Sequence, residues 1–338
     1  MIKKIGFACI LSEINPKKGI ISIPTHSFKT TTISWLNRQS KEVAVERLWQ
    51  LMEHNIQAAY NLVSYVGNLS PHLRMVRLGS DCLPAYTHTD WKWFWKSADV
   101  QTYCETQFIK VGDLARANDV RLSMHPGQFC VLASVSENIV NNSIEEFEYH
   151  ADMARWMGYG KSFQDFKINV HISGKAGPEG IRSAYQRLTP EARSCITIEN
   201  EENAWGLDDC LTISDLVPIV LDVHHNWIKT SNYIQPSDAN VSRVVDSWRG
   251  IRPTMHYSIS REDYLINHST TVMPDYNSLL ESGHQKQKLR AHSDAYWNTA
   301  VNEWALGFLN THDILCESKS KNLASFELAN QALALGLL

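Results

Sequence analysis

The sequence predicts an α/β fold, a single (β/α)8 TIM barrel in which residues 1–338 form one domain. Three observations predict it. Eight short apolar, β-branched runs follow one another along the chain, stretches with helical periodicity lie between most of them, and no linker, charge block or repeat divides the chain. A chain of 338 residues is long enough for such a barrel. A doubly wound open sheet is the alternative with the same alternation of elements.

The predicted elements alternate in order along the chain. Strands are predicted over residues 4–10, 74–79, 120–125, 167–172, 195–199, 218–223, 253–258 and 313–317. Helices are predicted over 39–66, 98–118, 136–158 and 237–249, with more helix within 178–192 and 294–311. The connections 11–36, 80–97 and 259–293 are long for this fold. In a barrel all three lie at the C-terminal ends of the strands, where sites are built.

The composition excludes several other classes of protein. Hydrophobic residues make up 43% and charged residues 20%, which excludes a disordered or fibrous chain. No apolar run approaches the roughly 18–20 residues that a membrane helix needs. The opening MIKKIGFACIL lacks a following small-residue cleavage site, so we interpret it as the first strand rather than a secretory signal. The seven cysteines are scattered without a CxxC motif, which favours free thiols in a reducing cytoplasm.

Histidine is unusually abundant, with 14 residues in a chain whose formal net charge is −4. Many histidines indicate metal binding or acid–base chemistry. The net charge argues mildly against a simple basic nucleic-acid binder. The positions of the histidines are therefore more informative than the overall charge.

Six consecutive predicted strands, the third to the eighth, each end in His, Glu or Asp. These residues are His125, His171, Glu199, Asp222, His256 and Glu317. A single histidine near a strand end is more often a core or surface residue, but closing a barrel brings all six ends to one mouth. Ionised carboxylates beside a buried run are costly unless they are paired or metal-bound. The pattern predicts a multi-metal site at the C-terminal face of the strands.

More histidines lie close to this predicted site. His88 is in the loop after the second strand, and His292 is in the long loop after the seventh. His225 follows Asp222 by three residues, so that both can reach the barrel mouth while His224 points away. Imidazole and carboxylate ligands together suit Zn, Mn or Fe better than Ca. With so many ligands, two or three ions that share bridging carboxylates fit better than one, and such sites serve phosphate-ester hydrolysis above all.

Three features are consistent with contacts to nucleic acid. Residues 84–97, PAYTHTDWKWFWKS, interleave aromatic side chains with two lysines, which is typical either of stacking and phosphate contacts or of an aromatic core under a helix start. The loop 11–38 carries Lys and Arg among Ser and Thr, which suits phosphate contacts or a solvated loop. Lys319 and Lys321 follow the eighth strand beside the predicted metals.

Five motifs together resemble the UV damage endonuclease family, a relative of endonuclease IV: LSMHPGQF, ENEE, DVHH, RAHSD and ESKSK. The resemblance runs from IGF near the start to ESKSK near residue 320. It implies a (β/α)8 barrel with two or three divalent ions, most often Mn²⁺, with Zn²⁺ or Mg²⁺ as alternatives. It also implies a DNA repair endonuclease that uses metal-activated water to nick the backbone 5′ to cyclobutane pyrimidine dimers and 6-4 photoproducts. The nick leaves a 3′-hydroxyl, and members also act at some abasic sites.

The resemblance assigns roles to individual residues. The implied metal ligands are His88, His125, His171, Glu199, Asp222, His225, His256, His292 and Glu317. Among them, we expect Glu199, Glu317 and Asp222 to be the catalytic carboxylates. Gln128 and Phe129 match a Gln–aromatic pair that the family inserts beside the damaged bases. Phe7 matches a lesion-contacting aromatic, and Lys319 and Lys321 are expected to contact DNA. The chain departs from the family at Thr254, where the family has a lysine close to the metals.

The expected partner is double-stranded DNA that contains UV lesions, without a membrane, and we expect a monomer that is associated with DNA in the cytoplasm. Two other functions remain as alternatives at this stage. A sugar isomerase or epimerase with the same kind of barrel would have a small closed pocket and no need of the Gln128–Phe129 pair. A lesion-binding protein without catalysis would use its metals structurally, although structural zinc sites usually have four ligands, often with Cys.

Overall fold

A parallel eight-stranded sheet forms a nearly closed barrel in the computed structural model, which describes residues 2–338. The strands are β1 (Ile5–Ala8), β2 (Ser12–Asn15), β3 (Gly19–Ser22), β4 (Met75–Leu78), β5 (Arg121–Met124), β6 (Lys167–His171), β7 (Ile196–Glu199), β8 (Ile219–Val220), β9 (Thr254–Tyr257) and β10 (Asp313–Cys316). All except β2 and β3 belong to the barrel, in the spatial order β8-β7-β6-β5-β4-β1-β10-β9. The eight predicted strands and the predicted TIM-barrel fold are confirmed.

The barrel closes between β8 and β9 through a single point of pairing. Asp222 and His256 form an isolated parallel bridge, and the His256 amide donates to the Leu221 carbonyl at 3.0 Å. The strand β8 is short because the chain turns into a helix directly after Asp222, whose side chain accepts a hydrogen bond from the His225 amide. Two residues of the predicted metal site therefore lie where the barrel closes.

Helices surround the barrel. They are α1 (Ile33–Leu36), α2 (Lys41–Gly67), α3 (Lys92–Trp95), α4 (Ala98–Ala117), α5 (Glu137–Trp156), α6 (Gly177–Tyr185), α7 (Pro190–Cys195), α8 (Leu207–Leu211), α9 (Val223–Thr230), α10 (Ala239–Ser247), α11 (Tyr276–Glu281), α12 (Lys286–Leu289), α13 (Thr299–Leu306) and α14 (Asn322–Ala334). Short 3₁₀ turns lie at Pro24–His26, Pro71–Leu73 and Gly307–Asn310. The six predicted helical stretches all contain helix. Residues 178–192 are divided because Thr189 caps a new helix that has Pro190 at its first position.

The long connections contain more structure than the sequence indicated. Residues 11–36 include the antiparallel hairpin of β2 and β3. Its turn is built by the Asn15 side chain, which accepts from the amides of Lys17 at 2.9 Å and Lys18 at 3.0 Å, and by Gly19 at a φ of +74°. Residues 259–293 include α11 and α12. Both connections were treated as plain loops because their apolar patterns are too short to predict an element.

The interior of the barrel is unusually polar. TIM barrels are normally filled with branched apolar side chains. Here, buried polar residues occupy alternate positions of several barrel strands. They include Lys167 and Asn169 on β6, Thr197 on β7 and Thr254 on β9. At the N-terminal end, the buried Asp313 accepts from the Lys4 amide at 2.9 Å and pairs with Arg252 at 2.7 Å and Arg121 at 2.5 Å. This ring of charges closes the bottom of the barrel and leaves its mouth free for a site.

Two further properties concern the whole chain. No helix within residues 2–338 is long and apolar enough to cross a membrane. All seven cysteines are free thiols, and all except Cys9 are buried. The expectation that residues 1–338 form one domain stays a prediction.

Candidate metal centre

Glu199 lies at the centre of the predicted ligands. It is the last residue of β7 and its side chain is fully buried. Its Oε1 lies 3.0 Å from His256 Nδ1, while its Oε2 lies 3.5 Å from His125 Nε2 and 3.7 Å from His171 Nε2. The register of β6 and β7 places His171 directly opposite Glu199, so this contact follows from strand pairing. One carboxylate therefore faces histidines from three other strands.

The ligand atoms form two groups that share Glu199. One group consists of His125, His171 and Glu199, and the other of Glu199, Asp222, His256 and Glu317, with all ligand atoms of a group within 4.8 Å of one another. Glu317 follows β10 directly, and its Oε1 lies 3.4 Å from His256 Nδ1. A carboxylate that belongs to both groups is placed as a bridging ligand between two ions would be.

Asp222 has two tasks in this arrangement. Its Oδ1 accepts from the His225 amide at 2.7 Å and so caps α9, while its Oδ2 stays without a hydrogen-bond partner among the described residues. The cap also fixes the start of the helix that carries His225, whose Nδ1 lies 3.6 Å from Glu199 Oε1. His225 is thereby held at the edge of the cluster.

Three buried atoms of the cluster lack a hydrogen-bond partner within residues 2–338. They are Glu199 Oε1, Asp222 Oδ2 and His256 Nδ1. A buried polar atom that is left unpaired costs about 1–3 kcal/mol. The 3.0 Å between Glu199 Oε1 and His256 Nδ1 is about the separation of two neighbouring ligands of one ion with bonds of about 2.1 Å. The residues present therefore fit a divalent ion, and the mixed imidazole and carboxylate donors suit Mn, Fe or Zn.

The charges of the cluster support the same conclusion. Burial, together with Glu199 and Glu317, raises the pKa of Asp222 to about 8 despite the nearby His225. Burial also opposes ionisation of Glu199, but His256 and His171 hold its pKa well below the usual range. For Glu317, Arg77 outweighs burial and lowers the pKa in the same way. Three carboxylates this close together need cations to be ionised at once.

The side chains that support the cluster were not identified from the sequence. Arg77 on β4 pairs with Glu317 from below. Asn169 donates to Glu199 Oε2 and is itself held by the Thr197 hydroxyl at 2.8 Å. Some of them could have been found from the alternation of side chains along a strand. Lys167, Asn169 and His171 occupy every second position of β6, so all three face the barrel interior.

A lysine does contact the cluster, although not from the position that the family resemblance indicated. Lys167 Nζ on β6 lies 3.1 Å from His256 Nε2. Thr254 on β9, where a family lysine was expected, is a buried threonine in the barrel interior. The amine beside His256 therefore comes from a different strand.

The remaining predicted histidines differ in position. His292 lies at the rim, with its ring 6.4 Å from that of His225, and is held by an antiparallel bridge to Ser260. His224 points away, as expected, and stacks on Trp227. His88 is not brought into either ligand group, and its Nδ1 accepts from the Asp90 amide at 3.2 Å. A ligand role for His88 stays a prediction.

Gln128 and Phe129 project from the loop after β5, next to His125. Both are exposed, Phe129 by 85%. We call residues 127–129 the tip. On one side of the tip is a cavity of about 270 Å³, which we call the site cavity. Its lining includes His125, Gln128, His171, Glu202, His225 and Arg290. On the other side, a cavity of about 630 Å³ is lined by residues that include Phe129, His88 and Tyr86. Phe129 therefore presents an exposed aromatic ring at the edge of one cavity, next to Gln128 at the edge of the other.

Residues 3–335 match the family model described as UV-endonuclease UvdE. The chain belongs to the UvdE family. Its relatives include the UV-damage endonuclease of Schizosaccharomyces pombe, with 26% identity over 97% of this chain. That match covers 50% of the S. pombe protein, so this chain spans about half the length of that relative. The UV DNA damage endonuclease of Bacillus velezensis is 24% identical over 91% of this chain and 89% of its own length.

A solved structure agrees with the fold. The crystal structure of SacUVDE superposes with a TM-score of 0.71 over 99% of this chain and 100% of that chain, at 22% sequence identity. At this level of identity the match concerns the fold alone. It supports the assignment of the UvdE family chain to the TIM-barrel class.

One expectation for this UvdE family member is wrong. Phe7 cannot contact a lesion, because its side chain is fully buried and packs edge-on against Phe326 of α14, with the ring centroids 6.4 Å apart. The sequence placed Phe7 in a strand but did not give the face on which it lies. Its ring points outward into the layer between the barrel and α14.

The other expected DNA contacts lie on or near the surface. Lys319 is half-exposed and pairs with Asp294 at 3.4 Å. Lys321 is half-buried, with a φ of +55°, just before α14. In the aromatic segment 84–97, Trp91, Phe94 and Trp95 are buried, which favours the core interpretation for most of that segment. Roles for Lys319 and Lys321 stay predictions.

Proposed function

We propose that this chain is a metal-dependent DNA repair endonuclease that incises the backbone 5′ to UV photoproducts and leaves a 3′-hydroxyl, with some action at abasic sites. The observation that carries the proposal is the position of Glu199, which is shared by two groups of ligand atoms beside an open cavity and an exposed tip. Membership of the UvdE family and relatives named as UV-damage endonucleases support it.

The metal ligands follow from the two groups. His125 and His171 would hold one ion, Asp222, His256 and Glu317 another, and Glu199 would join them. We assign His225, whose Nδ1 lies 3.6 Å from Glu199 Oε1, and His292 as further ligands of these ions or of a third ion, and His88 would have to approach from the tip side. Divalent ions, of which we favour Mn²⁺ over Zn²⁺ or Mg²⁺, would supply a Lewis acid for the phosphodiester and lower the pKa of a nearby water.

The protein's own side chains fix the positions of the carboxylates in the site. Glu199, Asp222 and Glu317 bring three carboxylates together, and Arg77 and Asn169 hold Glu317 and Glu199 in place. Their fixed positions limit rearrangement when substrate binds. We assign the catalytic carboxylates to these three residues.

The exposed tip indicates the class of substrate. Gln128 and Phe129 would enter the duplex beside the lesion, where bases are already poorly stacked and cost less to displace. A sugar isomerase has no use for an exposed aromatic tip beside an open cavity. We therefore propose duplex DNA with UV lesions as the partner of a monomeric, DNA-associated protein.

A duplex with one cyclobutane dimer tests this function. The strand that carries the dimer is labelled at its 5′ end, and the fragments are measured after incubation with Mn²⁺ or EDTA. We expect one cut directly 5′ to the dimer, with an end that a DNA polymerase extends, in Mn²⁺ and not in EDTA. Equal cutting of an undamaged duplex, or no cutting with any divalent ion, would contradict the proposal.

A further inference from the structure

Arg290 is the permanent cation among the described residues that line the site cavity. Its side chain is 43% exposed. It lies between Leu289, which is fully buried, and His292, which is bridged to Ser260, so the local backbone is held on both sides. His125, His171 and His225 line the same cavity. A positively charged side chain is therefore directed into the space beside the predicted ligands.

The guanidinium is anchored at one side only. Its Nε lies 2.8 Å from Glu202 Oε1, and within residues 2–338 it forms no ion pair with another carboxylate. Glu202 is 5% exposed, and its other oxygen lies 3.7 Å from His225 Nε2. The Glu202 backbone is held in addition by Lys286 Nζ, which donates to its carbonyl at 2.9 Å. Arg290 is thus positioned by a fixed carboxylate that connects it to the metal cluster.

An arginine held in this way matches the chemistry of a phosphodiester. The guanidinium presents N–H donors in a planar fork, and an anchor at Nε leaves the other edge of the fork without a carboxylate partner. Two parallel hydrogen bonds to phosphate oxygens fit such an edge. A phosphate in the cavity can therefore lie against this free edge of Arg290.

We propose that Arg290 binds a phosphodiester of the damaged strand in the site cavity, and that Glu202 positions the guanidinium. The inference rests on the proposed function, because it assumes that DNA occupies the cavity. It adds a positively charged contact, which comes from the loop after β9 rather than from a strand end. The alternative to this binding role is a structural one, in which Arg290 only neutralises the buried Glu202.

Binding to an already incised duplex tests the inference with the metal-loaded protein. The probe is a fluorescent duplex with one cyclobutane dimer and a nick at its 5′ side, which cannot be incised again, and affinity is measured by anisotropy at several salt concentrations. We expect Arg290→Ala to weaken binding about tenfold and to reduce the slope of log K against log salt by about 0.9. Arg290→Lys is expected to restore the slope and only part of the affinity.

Lys288→Ala is the matched control. Lys288 is exposed on α12, which ends at the residue before Arg290, and its Nζ lies 5.4 Å from the centroid of the Tyr264 ring. Its loss removes the same charge from outside the cavity. Equal effects of Arg290→Ala and Lys288→Ala would overturn the inference while leaving the proposed function intact. A wild-type chain that binds the dimer-containing duplex no better than an undamaged one would overturn both.

Glu202→Gln separates positioning from simple neutralisation. Removal of a negative charge near the phosphate should strengthen DNA binding if Glu202 acts only by its charge. If Glu202 positions Arg290, binding weakens in spite of the lost charge, and the variant has no further effect in the Arg290→Ala background. Tighter binding by Glu202→Gln would contradict the positioning role.

Discussion

The residues that surround Glu199 leave one of its two carboxylate oxygens without a hydrogen bond. Its Oε2 accepts from Asn169, but its Oε1 faces His256 without a hydrogen bond. We predict that Glu199→Gln, which keeps the shape and removes the charge, lowers incision of UV-irradiated plasmid by about 10²-fold or more. The rise in melting temperature on addition of Mn²⁺ should shrink as well, because ion binding stabilises only the folded state.

The control for this variant is Glu105→Gln, which removes the same charge from the exposed surface of α4. Circular dichroism of the metal-free proteins separates loss of the site from loss of the fold. A Glu199→Gln protein with normal incision and a normal response to Mn²⁺ would remove Glu199 from the metal centre.

Replacement by alanine should have different effects at Phe7 and at Phe129, on stability at the first and on DNA binding at the second. Phe7→Ala removes a fully buried ring and should lower the free energy of unfolding by about 3–5 kcal/mol. Phe129→Ala removes an exposed ring and should change that free energy by no more than about 0.5 kcal/mol, while it weakens binding to dimer-containing duplexes. Urea unfolding and anisotropy measure the two effects. If Phe129→Ala bound damaged and undamaged duplexes like wild type, the tip would have no role in recognition.

Among single residues, the sequence predicted correctly which side chains meet at the C-terminal ends of the strands. His125, His171 and Glu199 each end or directly follow an apolar run, so their convergence follows from barrel closure. Phe7 was placed wrongly because the four-residue strand β1 is buried on both faces and carries no alternation to reveal its phase. Arg290 and Glu202 were missed because their contact joins two loops, which no local pattern encodes.

At the scale of elements, α5 carries a buried titratable group that links stability to pH. Burial lowers the pKa of His150 to about 4, although its Nδ1 contacts the Glu146 carbonyl at 2.8 Å. The unfolded chain takes up this proton near pH 6.5, whereas the folded chain resists until about pH 4. The unfolded state therefore binds more protons in this window, and stability that is present above pH 6.5 is lost as the pH falls.

His150→Phe should reduce this loss by about 1.6 kcal/mol between pH 6.5 and pH 5. The measurement is urea unfolding of wild type and variant at both pH values in EDTA, so that metal binding does not contribute. His150→Gln serves as a second variant if phenylalanine does not fit. Equal pH dependence in wild type and both variants would mean that His150 is not buried as a neutral side chain.

Helices and strands were predicted accurately where the apolar pattern repeats many times along the segment. The helix predicted over 39–66 is observed as Lys41–Gly67, because 27 residues give many repeats of the apolar stripe. The hairpin of β2 and β3 has four residues per strand and mostly exposed side chains, so it offers little pattern. The strand β8 is shorter than predicted since Asp222 begins a helix there, a choice that depends on the side-chain cap.

At the scale of the whole molecule, the net charge of −4 no longer opposes DNA binding. The three proposed ligand carboxylates are counted in that charge. Two or three divalent ions would add about four to six positive charges, which brings the net charge to about zero or +2, with the added charge located at the site. The loaded protein would therefore attract a phosphate backbone most strongly where Glu199 and Arg290 lie.

The most direct test is nicking of supercoiled plasmid, UV-irradiated or not, by the chain with Mn²⁺, Mg²⁺, Zn²⁺ or EDTA. The expected result is conversion of irradiated plasmid to open circles with Mn²⁺, little conversion of unirradiated plasmid, and none with EDTA. Equal nicking of both plasmids, or nicking that survives complete removal of metal, would contradict a metal-dependent endonuclease that selects UV lesions.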